Sequence, residues 1–184
     1  MKKAMIAVVM AAVLLCGISV YAAAATETEA KPSDTGSTSR STDSEQEGAF
    51  SDFYDYENPD GTYSYYFTRG VVVTMDKDWY QKTMVLTDDS GATFYHKASY
   101  QAYKEKGYED GGRLFTISAS VNTDFKELPS FEFIGFNEEE CMNYFAVLPT
   151  DYQAYAEDES IRAEYDSLWA GVKDVIADIE LKQE

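Results

Sequence analysis

One histidine and two cysteines bound what this 184-residue chain can do chemically. His96 is the sole imidazole, so a Ser-His-Asp or Cys-His nucleophile arrangement has to be built on it. It follows Phe94 and Tyr95 at the end of an expected strand and precedes an expected helix, which predicts a partly buried strand-end side chain. Cys141 lies in Glu140-Cys-Met-Asn-Tyr-Phe-Ala-Val-Leu148, a run that reads as a strand, and is expected to be a small buried hydrophobe. Pairing of His96 with Cys141 requires their strands to be neighbours, and nothing in the spacing indicates that. A zinc centre needs several His or Cys ligands, more than this chain supplies.

Carboxylates are plentiful, with 33 Asp and Glu in the chain. Two of them flanking a cleft would serve glycoside hydrolysis, but so many acids generate pairs by chance. For calcium, the nearest candidate is Asp55-Tyr-Glu-Asn-Pro-Asp-Gly61. Aligning Gly61 with the loop glycine of an EF-hand puts Tyr56 first and Phe67 last, where oxygen ligands are required. Asn58-Pro-Asp-Gly61 therefore reads as a turn. Asp76 with Asp78, and Asp88 with Asp89, read as turn and surface acids. Gly111-Gly112 lacks the Gly-x-x-x-x-Gly-Lys context of a phosphate loop. No cofactor and no metal site are expected.

The aromatic content points toward binding. Residues 49–184 carry 14 Tyr, 10 Phe and both Trp. Ala49 to Glu57 interleaves aromatics with acids ahead of the first clear strand; if exposed, it would be a sticky peptide able to dock on a partner or a sheet edge. Tyr54, Tyr56, Tyr63, Tyr65 and Trp79 are the candidate binding residues, together with Tyr66 and Tyr80, provided that they face outward where they can stack on sugars. The competing role for the same rings is core packing and cross-strand pairing.

The elements that must position these side chains are mostly strands. Thr62 to Thr68 alternates Tyr63, Tyr65 and Phe67 against Ser64, Tyr66 and Thr68, and Arg69-Gly70 turns the chain into Val71–Met75. Lys82–Thr87 and Ala92–His96 flank Asp88-Asp-Ser-Gly91, a hairpin signal. Arg113–Ser120 sets Phe115, Ile117 and Ala119 on one face. Phe131–Phe136 and Cys141–Leu148 form a further hairpin around Asn137-Glu138-Glu139. A helix is expected over Lys97–Lys106, and a longer one over about Ser160–Leu181, where Ile161, Tyr165, Leu168, Val172 and Ile176 recur at helical spacing. The class is α+β, an antiparallel sheet with helices packed on it, including a long C-terminal helix.

The first 48 residues carry an address rather than a site. Met1-Lys2-Lys3, an apolar stretch from Ala4 to Val20 and an alanine-rich end at Tyr21–Ala25 have the layout of a cleaved secretory signal over 1–25. The alternative is lipidation at Cys16, against which bulky Leu15 stands where a small residue is expected. Cleavage would leave Cys141 as the one cysteine and no internal disulfide. It would also remove Lys2 and Lys3 but no acid, taking the net charge from −18 to two lower, −20. Such a charge opposes nucleic acid and anionic lipid surfaces. Residues 26–48, rich in Ser, Thr and acids with nothing aliphatic beyond Ala30, predict a disordered linker. Residues 49–184 are the expected single domain.

Gly70-Val-Val-Val-Thr-Met-Asp-Lys-Asp-Trp79 resembles the opening of PsbP-like exported domains. Gly70, Val73, Met75 and Trp79 fit that pattern, whereas Asp76 replaces its proline and Val71 its aromatic. Gly111–Ser118, followed by Lys126-Glu-Leu-Pro129, is similar to uncharacterised secreted bacterial modules. The resemblance implies an antiparallel sheet sandwiched by helices, in a fold of mainly non-catalytic roles. The expectation is thus a secreted or cell-envelope binding module for an extracellular protein or glycan. The alternative is a small cell-envelope or extracellular hydrolase using carboxylates or His96.

Overall fold

A computed structural model describes Phe50 and residues 52–89 and 91–182. The expected signal with Cys16 and the expected linker lie outside the described residues. The described chain is α+β, with nine strands in two antiparallel sheets and three helices. In chain order these are β1 (Phe53–Glu57), β2 (Tyr63–Phe67), β3 (Val71–Met75), α1 (Lys77–Lys82), β4 (Thr83–Asp88), β5 (Gly91–His96), α2 (Lys97–Glu105), β6 (Arg113–Ser120), β7 (Phe131–Asn137), β8 (Met142–Val147), α3 (Glu159–Ala177) and β9 (Glu180–Leu181). A single 3-10 turn at Asp124–Glu127 precedes β7.

The four-stranded sheet runs β1-β2-β3-β9 and the five-stranded sheet β4-β5-β6-β8-β7. Alternation in β2 sorts its side chains cleanly between two faces. Tyr65 and Phe67 turn inward, where both meet the ring of Phe94 on β5 at centroid distances of 5.6 and 6.4 Å. Phe94 in turn stacks on Phe115 of β6 at 4.5 Å. The two sheets are joined through this aromatic layer. Helix α3 adds Tyr165, Leu168, Val172 and Ile176 to the same core and packs against β3, β6 and β7.

Local chemistry fixes the element ends. Asp76 caps α1, its Oδ1 accepting the Trp79 N–H at 2.8 Å, an N-cap worth about 1 kcal/mol. Gly61 closes the expected turn with φ +86° and donates its N–H to the Asn58 carbonyl at 2.9 Å. Gly70 has φ +73°, and any side chain there would run into the carbonyl oxygen of Lys182. Lys182 N–H bonds the Gly70 carbonyl at 2.8 Å, which seats β9 beside β3.

Four expectations need correction. Ala49–Glu57 is not a free peptide over its described part. Phe50 is buried on Phe67 and Tyr144, and Phe53–Glu57 is an edge strand in register with β2. The long helix stops at Ala177 rather than Leu181, because Glu180–Leu181 is needed as a strand. Cys141 is exposed in the β7–β8 turn with φ +52°, so the strand begins one residue later. His96 is fully buried rather than partly so.

Candidate functional site

Two constellations converge side chains capable of chemistry. The first is interior. His96, at the end of β5, shares a 2.9 Å hydrogen bond through Nδ1 with Ser99 Oγ in the first turn of α2. Its Nε2 lies 2.8 Å from Glu164 Oε1 on α3. Serine, histidine and carboxylate are the components of an acyl-transfer triad, but here they are wired in the opposite sense. A triad serine addresses the nitrogen distal to the carboxylate-bonded Nδ1; in this protein Nδ1 serves serine and Nε2 serves the acid.

Ser99 is fully buried, and its Oγ already accepts the Tyr155 N–H at 3.0 Å. With the Nε2–H directed to Glu164, a neutral ring leaves Nδ1 to accept the Ser99 hydroxyl proton. The cluster therefore ties β5, α2, α3 and the segment before α3 together, and offers no reachable nucleophile. Ser99→Ala strips the Tyr155 N–H of its acceptor and His96 Nδ1 of its donor. Urea denaturation is expected to register a loss of about 1–3 kcal/mol; a change below a few tenths would mean that the cluster does not hold these elements. Cys141 is far from this arrangement in register, at the β7–β8 turn, where its Sγ contacts the Glu138 carbonyl at 3.6 Å.

The second constellation lies on the outer face of the four-stranded sheet. Because opposed residues share a face, the pairs Tyr54–Tyr66, Tyr56–Ser64, Ser64–Thr74 and Tyr66–Val72 place these side chains together. Tyr54 and Tyr66 stack at 5.2 Å with ring planes 17° apart, and Tyr56 leans on Tyr54 at 6.0 Å. Tyr54 is 58% exposed. Beside this tyrosine row opens a cavity of about 410 Å³. Its floor is Ser64, Thr74 and Val72; Tyr56 flanks it on one side, and Glu180 and Lys182 of the β9 segment also line it.

Asn58 organises the polar part. Its Nδ2 donates to Thr62 Oγ1 at 3.0 Å and to Ser64 Oγ at 2.9 Å, and Ser64 Oγ lies 2.8 Å from Thr74 Oγ1. Asp60 Oδ1 accepts from the Thr62 N–H at 3.0 Å and from its hydroxyl at 2.7 Å. These bonds, the backbone one foremost, hold the Asp60 carboxyl below its ordinary range and keep it ionised.

The candidate aromatic residues separate into two groups. Tyr54 and Tyr56 stand on the outer face at this cavity. Tyr63 is on the inner side of the sheet, half-buried and stacked on Tyr80 at 4.2 Å, while the Tyr80 hydroxyl donates to Asp55. That bond pushes the Tyr80 phenol up to about 12. Tyr65 and Trp79 are buried in the core, Trp79 against Gly171 of α3. Neither can present a ring to a ligand. Nothing in the sequence singles out Ser64, Thr74, Glu180 and Lys182, and Asn58 reads there only as part of a turn. The signal available was the even-numbered half of the β2 alternation, where Ser64 and Tyr66 share the face opposite Tyr65 and Phe67.

Among the described residues, no group of three or more His, Cys, Asp or Glu side chains converges, and no helix is long and apolar enough to cross a membrane. Comparison with family models, with curated proteins and with solved structures finds no match to this chain.

Proposed function

We propose that this chain is a secreted, non-enzymatic binding module whose extracellular ligand docks on the outer face of the four-stranded sheet. The observation that carries this reading is the row Tyr56–Tyr54–Tyr66 beside a cavity floored by Ser64 and Thr74. Large, stiff rings next to convergent hydroxyl and amide groups give contact area at small entropic cost and orient a ligand through a few polar contacts. The strong acidic balance of the chain, −18 overall, favours neutral or cationic partners. Export places such a face where extracellular protein or glycan is the available ligand.

The competing reading is a small extracellular hydrolase, and the Ser99–His96–Glu164 cluster is its best support. Complete burial of Ser99 and the reversed use of the imidazole nitrogens weigh against it. The test is a pull-down from extracellular material and a glycan array, with the full chain compared with Tyr54→Ala and Tyr56→Ala. Each substitution is expected to weaken capture about tenfold. Equal capture by all three proteins, or a hydrolytic activity abolished by Ser99→Ala in a folded protein, would overturn the reading.

A further inference from the structure

We infer that the cavity beside the tyrosine row takes a neutral saccharide, an inference that rests on the outer face being the docking site. The polar groups of the lining carry it. Ser64 is 2% exposed and receives a proton from Asn58 Nδ2. Its oxygen lies 2.8 Å from Thr74 Oγ1, in a bond that either hydroxyl can donate. The half-buried Thr74 hydroxyl lines the cavity, where it can exchange hydrogen bonds with a ligand. At the Asn58–Thr62 end, both bonds from Thr62 fall on Asp60 Oδ1, and the exposed carboxylate can accept more. The lining thus offers hydroxyl groups and a carboxylate acceptor, groups that sugar hydroxyls satisfy by acting as donors and acceptors in turn.

Charge and polarity remove the other ligand classes. Asp60 and Glu180 outnumber Lys182 among the lining residues, and Lys182 is already 3.7 Å from Glu180. Uronic acids and phosphorylated ligands would meet net repulsion there. Val72 and Pro59 are the aliphatic side chains of the lining, too little for an amphipathic helix. The backbone groups of β2 are committed to β1 and β3 on its two sides, so an extended peptide lying across this face gains no ladder of main-chain bonds.

The experiment is ligand-observed NMR on the full chain with cellotetraose, maltotetraose and mannotetraose as neutral probes. Tetragalacturonate serves as an acidic probe and an uncharged serine-rich peptide as a non-sugar control. At least one neutral tetramer is expected to bind, with tetragalacturonate weaker by about tenfold or more. Thr74→Val should weaken binding about tenfold, and Thr74→Ser, which keeps the hydroxyl, should restore it to within about twofold. Thermal melts of both variants confirm that they fold. Unchanged binding by Thr74→Val, tighter binding of tetragalacturonate, or no binding of any neutral tetramer at millimolar concentration would overturn the inference. Peptide binding that is lost in Tyr54→Ala would sink the saccharide inference while leaving the docking face standing. Peptide binding indifferent to Tyr54 would sink both.

Discussion

Phe94→Ala is expected to cost about 3–5 kcal/mol, enough to bring a domain of ordinary stability close to unfolding. The ring has no exposed surface and sits where the two sheets share an aromatic layer. It stacks on Phe115 within its own sheet and takes edge contacts from Tyr65 and Phe67 across the interface. Truncation therefore removes three ring pairs as well as buried area, and leaves a void lined by aromatic side chains too rigid to close over it. Phe94→Leu keeps most of the volume and should lose roughly half as much. Urea denaturation followed by far-UV circular dichroism reads both. A loss below about 1 kcal/mol for the alanine variant would mean that the sheets are held together elsewhere.

Alkaline pH should unfold the protein steeply. Burial is the first cause that raises the phenols of Tyr65, Tyr144 and Tyr165 far above the ordinary tyrosine range. A hydrogen bond from Tyr144 to Glu140 at 2.6 Å adds to it at that site. A raised phenol means that the folded state holds its proton more tightly than the unfolded chain. The associated stability is whole below about pH 10, the unfolded value, and is lost as pH climbs from there toward the folded value. Each tyrosine removes up to about 1.4 kcal/mol per pH unit over that window.

The thermal midpoint should hold up to about pH 10 and then drop, with phenolate absorbance rising together with unfolding. Lysine deprotonation adds negative charge in the same range, and Tyr144→Phe separates the two effects by flattening the slope about one third. Ionisation of all three phenols at the ordinary value with the fold intact would refute their burial as the cause.

Most of the frame was legible because it rests on short-range pattern. The β2 and β6 alternations, the Gly91 hairpin and the spacing of Tyr165, Leu168, Val172 and Ile176 are local signals, and those elements form where the periodicity puts them. What local pattern does not carry is which face of a strand meets which partner. Tyr63 and Tyr65 are chemically equal to Tyr54 in sequence, yet the inner face claims the first two and the outer face the third. Helix α1 was missed because one turn and a half held by the Asp76 cap is too short to show a period. The turn at Cys141 adopts a positive φ without glycine, where sequence gives no warning. The cavity was hidden for a further reason. It joins Asn58 to Lys182, residues at opposite ends of the described chain, and only tertiary structure brings such positions together.

That joining depends on β9, which is two residues long. Beyond it on the same side lies Val71-Val72-Val73, an uncharged, strongly β-forming segment of the kind that recruits other chains when its edge is bare. Leu181 pairs with Val71 and Glu180 with Val72, so the strand that completes the cavity also occupies that edge and flanks it with the charges of Glu180 and Lys182. One short stretch of chain thereby both lines the cavity and shields that edge. A protease that clips after Asp178 would open the cavity on one side and, in the same cut, bare an edge prone to self-association.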